Sequence, residues 1–334
     1  MITSQLIKFD YYGILRYYCK QKVIKMKKSI LLLIVLVFIS VTCLSLFACN
    51  KQTDYSTVDG FIGTLKMTWN DEFDENTLKN YWQWKDSDTT NENQIYYSKD
   101  SCFIESGNLI ERINYQENGK CGSGWYHGSI ETMYNFKQTY GYFECRAKVP
   151  LFHGGWGAFW LMPYNQFRGD YLSSKPLDDP EYVAPEKNPN LNTATDGAEI
   201  DIFEAWWGYD KNGHNANSTI HYDYGKYLKS TSKQTTTESD IYDGQFHTFG
   251  LLWTKNAYRM YIDGKLTVEF DDKGYVDKNK KFVSHNIISQ VPEYLILSTE
   301  LRGGWAGDLE LNDKSKNYDF VVDYLRAYQL PEYM

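Results

Sequence analysis

The side chains best suited to chemistry stand in one short run, Asp196-Gly197-Ala198-Glu199-Ile200-Asp201-Ile202-Phe203-Glu204-Ala205-Trp206-Trp207. Glu199 and Asp201 are two apart, so on a β-strand they share one face while Ile200 and Ile202 take the other. Glu204 lies an odd number of residues from both acids. On a regular strand it would face the core, where an unpaired carboxylate is costly. Either the strand stops at Phe203, or an extra residue bulges there and returns Glu204 to the acid face. With a bulge, three carboxylates share one surface, and their repulsion holds a proton on one of them near neutral pH. Glycoside hydrolysis needs that division of labour: one carboxylate attacks the anomeric carbon while another protonates the leaving oxygen. The competing reading is a cation site built from Glu199, Asp201 and Glu204. Oxygen ligands suit calcium, but a mid-strand row lacks the wrapping loop of such sites.

The elements around this run are short β-type segments separated by turn signals. They include 141–149, 157–162, 198–203, 217–222, 246–253, 258–262, 266–270, 294–298 and 320–328. Asp263-Gly264 between two of them is a two-residue hairpin signal. No long segment has helical periodicity, and the absence of βαβ alternation points to an all-β sandwich or barrel. Residues 163–197 break the rhythm. They are polar, rich in Pro, Asp and Asn, and lead directly into the acid run, so they are read as a wall of the cleft.

Glu199-Ile200-Asp201-Ile202-Phe203-Glu204 resembles the bulge-containing active-site motif, Glu-x-Asp-x-x-Glu, of glycoside hydrolase family 16. Other landmarks follow in the family's order: Trp69-Asn70-Asp71-Glu72-Phe73, Gly128-Ser129-Ile130-Glu131-Thr132, the run 140–150, Gly157-Ala158-Phe159-Trp160-Leu161-Met162-Pro163, and Val322-Asp323-Tyr324-Leu325-Arg326-Ala327-Tyr328. The resemblance covers roughly residues 67–329. It implies a jelly-roll β-sandwich of two antiparallel sheets, concanavalin A-like, with a concave substrate cleft. It implies a retaining, endo-acting hydrolase with Glu199 as nucleophile, Glu204 as acid/base and Asp201 assisting between them. It places His221 near the attacked sugar and offers Trp156, Trp160, Trp206 and Trp305 for sugar stacking. Glu300 and Arg302 stand where the family pattern is more neutral, and so bear on substrate choice. No cofactor is required; a structural calcium at Asp323 is the metal the family suggests. The bulge form fits laminarinases and endo-β-galactosidases, and the long 163–197 link with the Ile-His-Tyr-Asp-Tyr-Gly segment at 220–225 leans toward the galactosidases. A lectin-like binding protein and a transglycosylase remain as alternatives.

Composition agrees with a sugar-binding sheet protein. Tyr numbers 29 and Trp 10 in 334 residues, a supply of flat rings for sheet faces and sugar stacking alike. Residues 1–48 carry 7 of the 35 basic residues and 1 of the 43 acidic ones, which leaves the body at a formal −14. Such a body repels nucleic acid and anionic membrane surfaces. Met26-Lys27-Lys28, an apolar stretch to Phe47, and Leu46-Phe47-Ala48-Cys49 resemble a bacterial lipoprotein signal ending in a lipidated Cys49; a simple membrane anchor is the other reading. The expected organisation is therefore an over-extended start (1–25), a lipoprotein signal peptide (26–49), a polar linker (50–64) and a catalytic domain (65–331). The expected protein is a monomer, held at the cell surface or in the periplasm by lipid alone, with a polysaccharide or glycan as its partner. Outside the export segment only Cys102, Cys121 and Cys145 remain. A Cys102–Cys121 bridge is allowed by the compartment, and Cys145 reads as a small buried strand residue.

Overall fold

Two antiparallel sheets pack face to face, each turning one side of its alternating pattern inward. The computed structural model describes residues 65–84, 94–164, 171–173, 175–190, 193–207, 214–222, 229–235, 241–271, 275–276, 280, 282–283, 286–302 and 306–333. The expected export signal, with Cys49, and the expected linker lie outside the described residues. Residues 56–334 form one compact unit. Among the described residues no helix is long and apolar enough to cross a membrane.

The principal strands in chain order are β1 (Lys66–Asp71), β2 (Asn108–Gly119), β3 (Gly122–His127), β4 (Ser129–Glu131), β5 (Gly141–Lys148), β6 (Gly155–Pro163) and β7 (Glu199–Trp207). They continue with β8 (His214–Tyr222), β9 (Lys229–Thr235), β10 (His247–Thr254), β11 (Ala257–Ile262), β12 (Lys265–Asp271), β13 (Glu293–Leu301) and β14 (Asn317–Gln329). One sheet runs β12-β11-β10-β5-β14-β2-β3 and ends on the short strand Ile95–Tyr97; the other runs β9-β8-β7-β6-β13-β4 and ends on Gln83–Trp84. Among the described residues, only the Ile95–Tyr97 pairing with β3 is parallel. Long-range antiparallel neighbours, such as β5 beside both β10 and β14, give the jelly-roll character.

The core lies between the sheets because alternate residues of both point there. On β13, Leu295 and Leu297 enter the main core, while Tyr294 and Ile296 join a separate cluster on the opposite face. Phe143, Phe249 and Phe320 from the first sheet meet Ile200, Ile202 and Phe203 from the second. Full burial of each such side chain contributes roughly 1.5–3 kcal/mol. The expected hairpin is present: Ile262 pairs with Lys265 across Asp263 and Gly264, whose φ values of 50° and 76° are the left-handed pair that a type I′ turn requires.

The structure corrects the sequence reading in three places. β2 and β3 are full strands that pattern alone passed over; Glu111 and Arg112, in the first half of β2, break the apolar alternation that marks a strand. Cys102 and Cys121 are free thiols, not a bridge: Cys102 pairs with Glu111 early in β2, and Cys121 sits in the turn at its far end. Strand limits also run further than alternation shows, β7 extending past the bulge to Trp207. Cys145 is fully buried, as expected.

Candidate active site

The bulge that the acid spacing demands is present in β7. Against β8, Asp201 pairs with Thr219 and Glu204 with Asn217, so three steps on β7 oppose two on β8. Against β6, Phe159 pairs with Phe203 and the next residue, Trp160, with Asp201. The extra residue lets Ile202 and Phe203 both enter the core, at 2% and 1% exposure. Phe203 stacks on Phe249 with ring centroids 3.8 Å apart. A bulge leaves a ladder carbonyl without its usual partner; here Ser218 Oγ donates to Ile202 O at 2.7 Å. Alternation restarts beyond Phe203, and Glu204 shares the outer face with Glu199 and Asp201.

Register places the neighbours of these acids. His221 pairs with Glu199 on β8, and its Nε2 lies 3.4 Å from Asp201 Oδ2 and 3.9 Å from Glu199 Oε1. On β6, Trp160 stands beside Asp201, Ala158 beside Glu204 and Trp156 beside Trp206. One strand further, Ser298 pairs with Ala158 and Glu300 with Trp156 on β13. Trp160 Nε1 donates to Ser298 Oγ at 3.0 Å, which fixes its ring over the sheet. Both Glu300 oxygens lie 2.5 Å from the Tyr97 hydroxyl, which reaches in from the edge of the other sheet. The Arg302 guanidinium sits 5.9 Å from the centre of the Trp156 ring.

Electrostatics separate the acids. Burial is the main force that pushes the Glu204 carboxyl up to about 7; the Glu199 and Glu300 charges add to it, while Arg302 and a hydrogen bond from Thr219 oppose it. Beneath the site, Glu293 is fully buried and its Oε1 accepts the Ala198 N–H at 3.1 Å, one residue before Glu199. Its carboxyl is pushed up to about 8, again by burial first.

Residues 187–324 match the model of glycosyl hydrolases family 16. A β-glucanase of Rhodothermus marinus is 25% identical over 80% of this chain and 86% of its own length. A keratan-sulfate endo-1,4-β-galactosidase of Sphingobacterium multivorum is 25% identical over 87% of this chain and 65% of its own length. The catalytic domain of a Thermotoga petrophila laminarinase superposes with a TM-score of 0.57 at 21% identity, covering 81% of this chain and all of that one. The chain carries this family match across its acid strand, with Glu199, Asp201, Glu204 and His221 all inside it. It is an endo-acting glycoside hydrolase, and the ordered acids, tryptophans and His221 occupy one face of its second sheet.

Among the family residues named from sequence, Trp156 and Trp206 are each 6% exposed and pack with Ala158 and Ala306, so they wall the site more than they offer a platform. Trp160 is the more open ring. Trp305 lies outside the described residues. Asp323 is on the first sheet, and Arg146 Nη1 donates to its Oδ2 at 2.7 Å. A guanidinium at that oxygen opposes a cation, so Asp323 does not fit a calcium ligand. Donor atoms of Glu199, Asp201 and His221 do approach within 4.8 Å of one another. They rise from adjacent strands with no wrapping loop among the described residues, unlike a calcium cage of six to eight oxygens.

Sequence reading missed Tyr97, Ser298, Thr219, Ser218 and Glu293. Strand alternation held a signal for one of them: in 293–301, Ser298 has the parity of Glu300. The others depend on register between distant strands. Asp196, quoted without a role, is buried and binds the loop before β7. Its Oδ1 accepts the Leu172 N–H at 3.2 Å, its Oδ2 accepts Asn188 Nδ2 at 2.5 Å, and its carbonyl accepts the Tyr171 N–H at 2.9 Å.

Proposed function

We propose that the chain is a retaining endo-β-galactosidase, with Glu199 as nucleophile and Glu204 as acid/base. The observation that carries the reading is the bulge at Ile202 and Phe203, which puts Glu204 on the face of Glu199 and Asp201 in surroundings that hold its proton. Glu204 gives that proton to the glycosidic oxygen as Glu199 attacks the anomeric carbon and forms a glycosyl ester. The leaving chain departs, and Glu204 then takes a proton from water, which attacks the same carbon and frees Glu199. Asp201 stands between the two acids and, with His221, orients Glu199. Trp160, anchored through Ser298, lies beside the acids as a stacking surface for a sugar ring.

The galactan reading rests on the long 163–197 link, on the 220–225 segment, and on the similarity to a keratan-sulfate endo-β-galactosidase. A β-1,3(4)-glucanase is the second reading, favoured by the similarity to a β-glucanase. Incubation of the domain from about residue 50 with poly-lactosamine, mucin glycans, agarose, porphyran and laminarin, followed by sizing of the products, separates the two. Oligosaccharides from laminarin alone would overturn the galactosidase reading.

Azide separates the acid roles. On an aryl glycoside, whose leaving group departs without protonation, Glu204→Ala should form the glycosyl ester and be freed by azide, giving a glycosyl azide of retained configuration. Glu199→Ala should give the inverted azide or none. Activity that survives EDTA would count against a cation at Glu199, Asp201 and His221. The chain is further read as a monomeric lipoprotein tethered through Cys49; Cys49→Ala should release the enzyme from membranes to the soluble fraction.

A further inference from the structure

We propose that Glu300, clamped by the Tyr97 hydroxyl and set across Ala158 from Glu204, is a positioning residue whose charge keeps the proton on Glu204, with Arg302 acting against it. This rests on the reading of Glu204 as acid/base. Glu204, Ala158 and Ser298 form one cross-strand row on β7, β6 and β13, and Glu300 is two residues beyond Ser298 on the same face. Ala158 presents only a methyl group in the middle of that row. Two strand spacings and two residues along put the backbones roughly 12 Å apart, so the two side chains can approach well within that distance over the alanine.

Glu300 is held there by construction. Tyr97 bonds both of its oxygens, and the Tyr97 ring packs on His127 with centroids 4.1 Å apart. His127 in turn bonds the carbonyl of Thr299, the residue before Glu300. The Glu300 side chain and the Thr299 backbone are thus both tied to the last two strands of the opposite sheet. A lone carboxylate for binding sugar hydroxyls would not need this second support, whereas a charge that must act at a fixed separation does.

The charged and titratable groups that face Glu204, among the described residues, are few. Its own strand gives Glu199 and Asp201, β8 gives His221, the segment at the end of β13 gives Glu300 and Arg302, and the sheet edge gives Tyr97. β6 contributes Trp156, Ala158 and Trp160, none of them charged. The Glu300 charge raises the proton affinity of Glu204 and Arg302 lowers it, in accord with this layout. Glu300 and Arg302 therefore form an opposed pair whose balance sets the pH at which Glu204 ceases to be an acid.

The test is the pH dependence of kcat/KM, whose alkaline limb reports the free enzyme's acid. Glu300→Gln should move that limb to lower pH and Arg302→Met to higher pH, each by about 0.5 unit. Opposite displacements distinguish a charge effect from a packing defect, which would lower the rate at every pH. Tyr97→Phe, which keeps the ring on His127, should give a smaller displacement than Glu300→Gln. A limb that stays in place in both charge variants overturns the proposal, as does a shift in the same direction in both. Should Glu204→Gln itself retain turnover, the acid/base reading fails instead. With Glu204→Gln inactive and the limb unmoved by Glu300→Gln, only this inference falls.

Discussion

The Ser218 hydroxyl donates to the main-chain carbonyl of Ile202 at 2.7 Å, and Ser218 is 1% exposed. It occupies the place on β8 that the bulge leaves without a ladder partner. Removing it strands a buried carbonyl, which costs about 1–3 kcal/mol. Ser218→Ala should therefore lower stability to urea by that amount. It should also reduce kcat more than it raises KM, because the backbone it releases carries Glu204. An unfolding curve unchanged from the parent would show that the bulge does not depend on this bond.

His221 faces Asp201 across the β7–β8 pairing, Nε2 to Oδ2 at 3.4 Å. Its Nε2 also lies 3.9 Å from Glu199 Oε1, so the imidazole is within reach of both acids. His221→Ala should cost about 1.5–3 kcal/mol of transition-state stabilisation, or roughly 10- to 150-fold in kcat/KM, as a lost bond to a charged group. The check is steady-state kinetics with the alanine and glutamine variants. Glutamine, which can still donate, should recover part of the loss. Equal loss in both would assign His221 to packing.

An all-β sandwich or barrel and a shared face for Glu199 and Asp201 were legible because local rules reach them; the jelly roll and the roles of the acids came from the resemblance to family 16. Alternation in β6, β13 and β14 marks inward and outward positions without knowledge of any partner strand. The two-residue offset of Glu199 and Asp201, with the odd offset of Glu204, sets a contradiction that a bulge alone resolves without burying an acid or ending the strand. What alternation cannot state is register. Tyr97 meets Glu300 across 203 positions of sequence, and nothing in the short run Ile95–Tyr97 marks its hydroxyl as a clamp. β2 escaped because Glu111, fully buried at a core position, looks to a pattern search like a solvent residue. Composition offers Trp156, Trp160 and Trp206 alike for stacking, because it cannot tell a ring that walls a cleft from one that lies open in it.

Asp196 ties the loop before β7 to the catalytic strand through Leu172, Tyr171 and Asn188. It is fully buried, and burial raises its carboxyl above the ordinary range while the Asn188 and Leu172 bonds hold it down. Asp196→Ala should remove two accepted bonds and cost roughly 2–4 kcal/mol. Released from Asp196, the 171–190 segment should become the first site of limited proteolysis, and KM should rise more than kcat falls. If instead protease sensitivity stays at the parental level, the loop is held by other contacts.

Glu293 gives the stability of the fold a pH dependence with a definite sign. Its folded carboxyl titrates at about 8, against the ordinary 4.5 of a glutamate. Between those values the folded state binds the extra proton, so stability falls as pH rises from about 4.5 toward 8. The loss from this one group is bounded at a few kcal/mol, because neighbours can relax around the buried charge. Glu293→Gln removes the titration yet keeps an oxygen for the Ala198 N–H. Urea unfolding at pH 5 should find parent and variant close together. At pH 8.5 the variant should be the more stable, since it never has to bury a charge beneath Glu199. Parallel stability curves across that range would mean that Glu293 reaches solvent or a partner when it ionises.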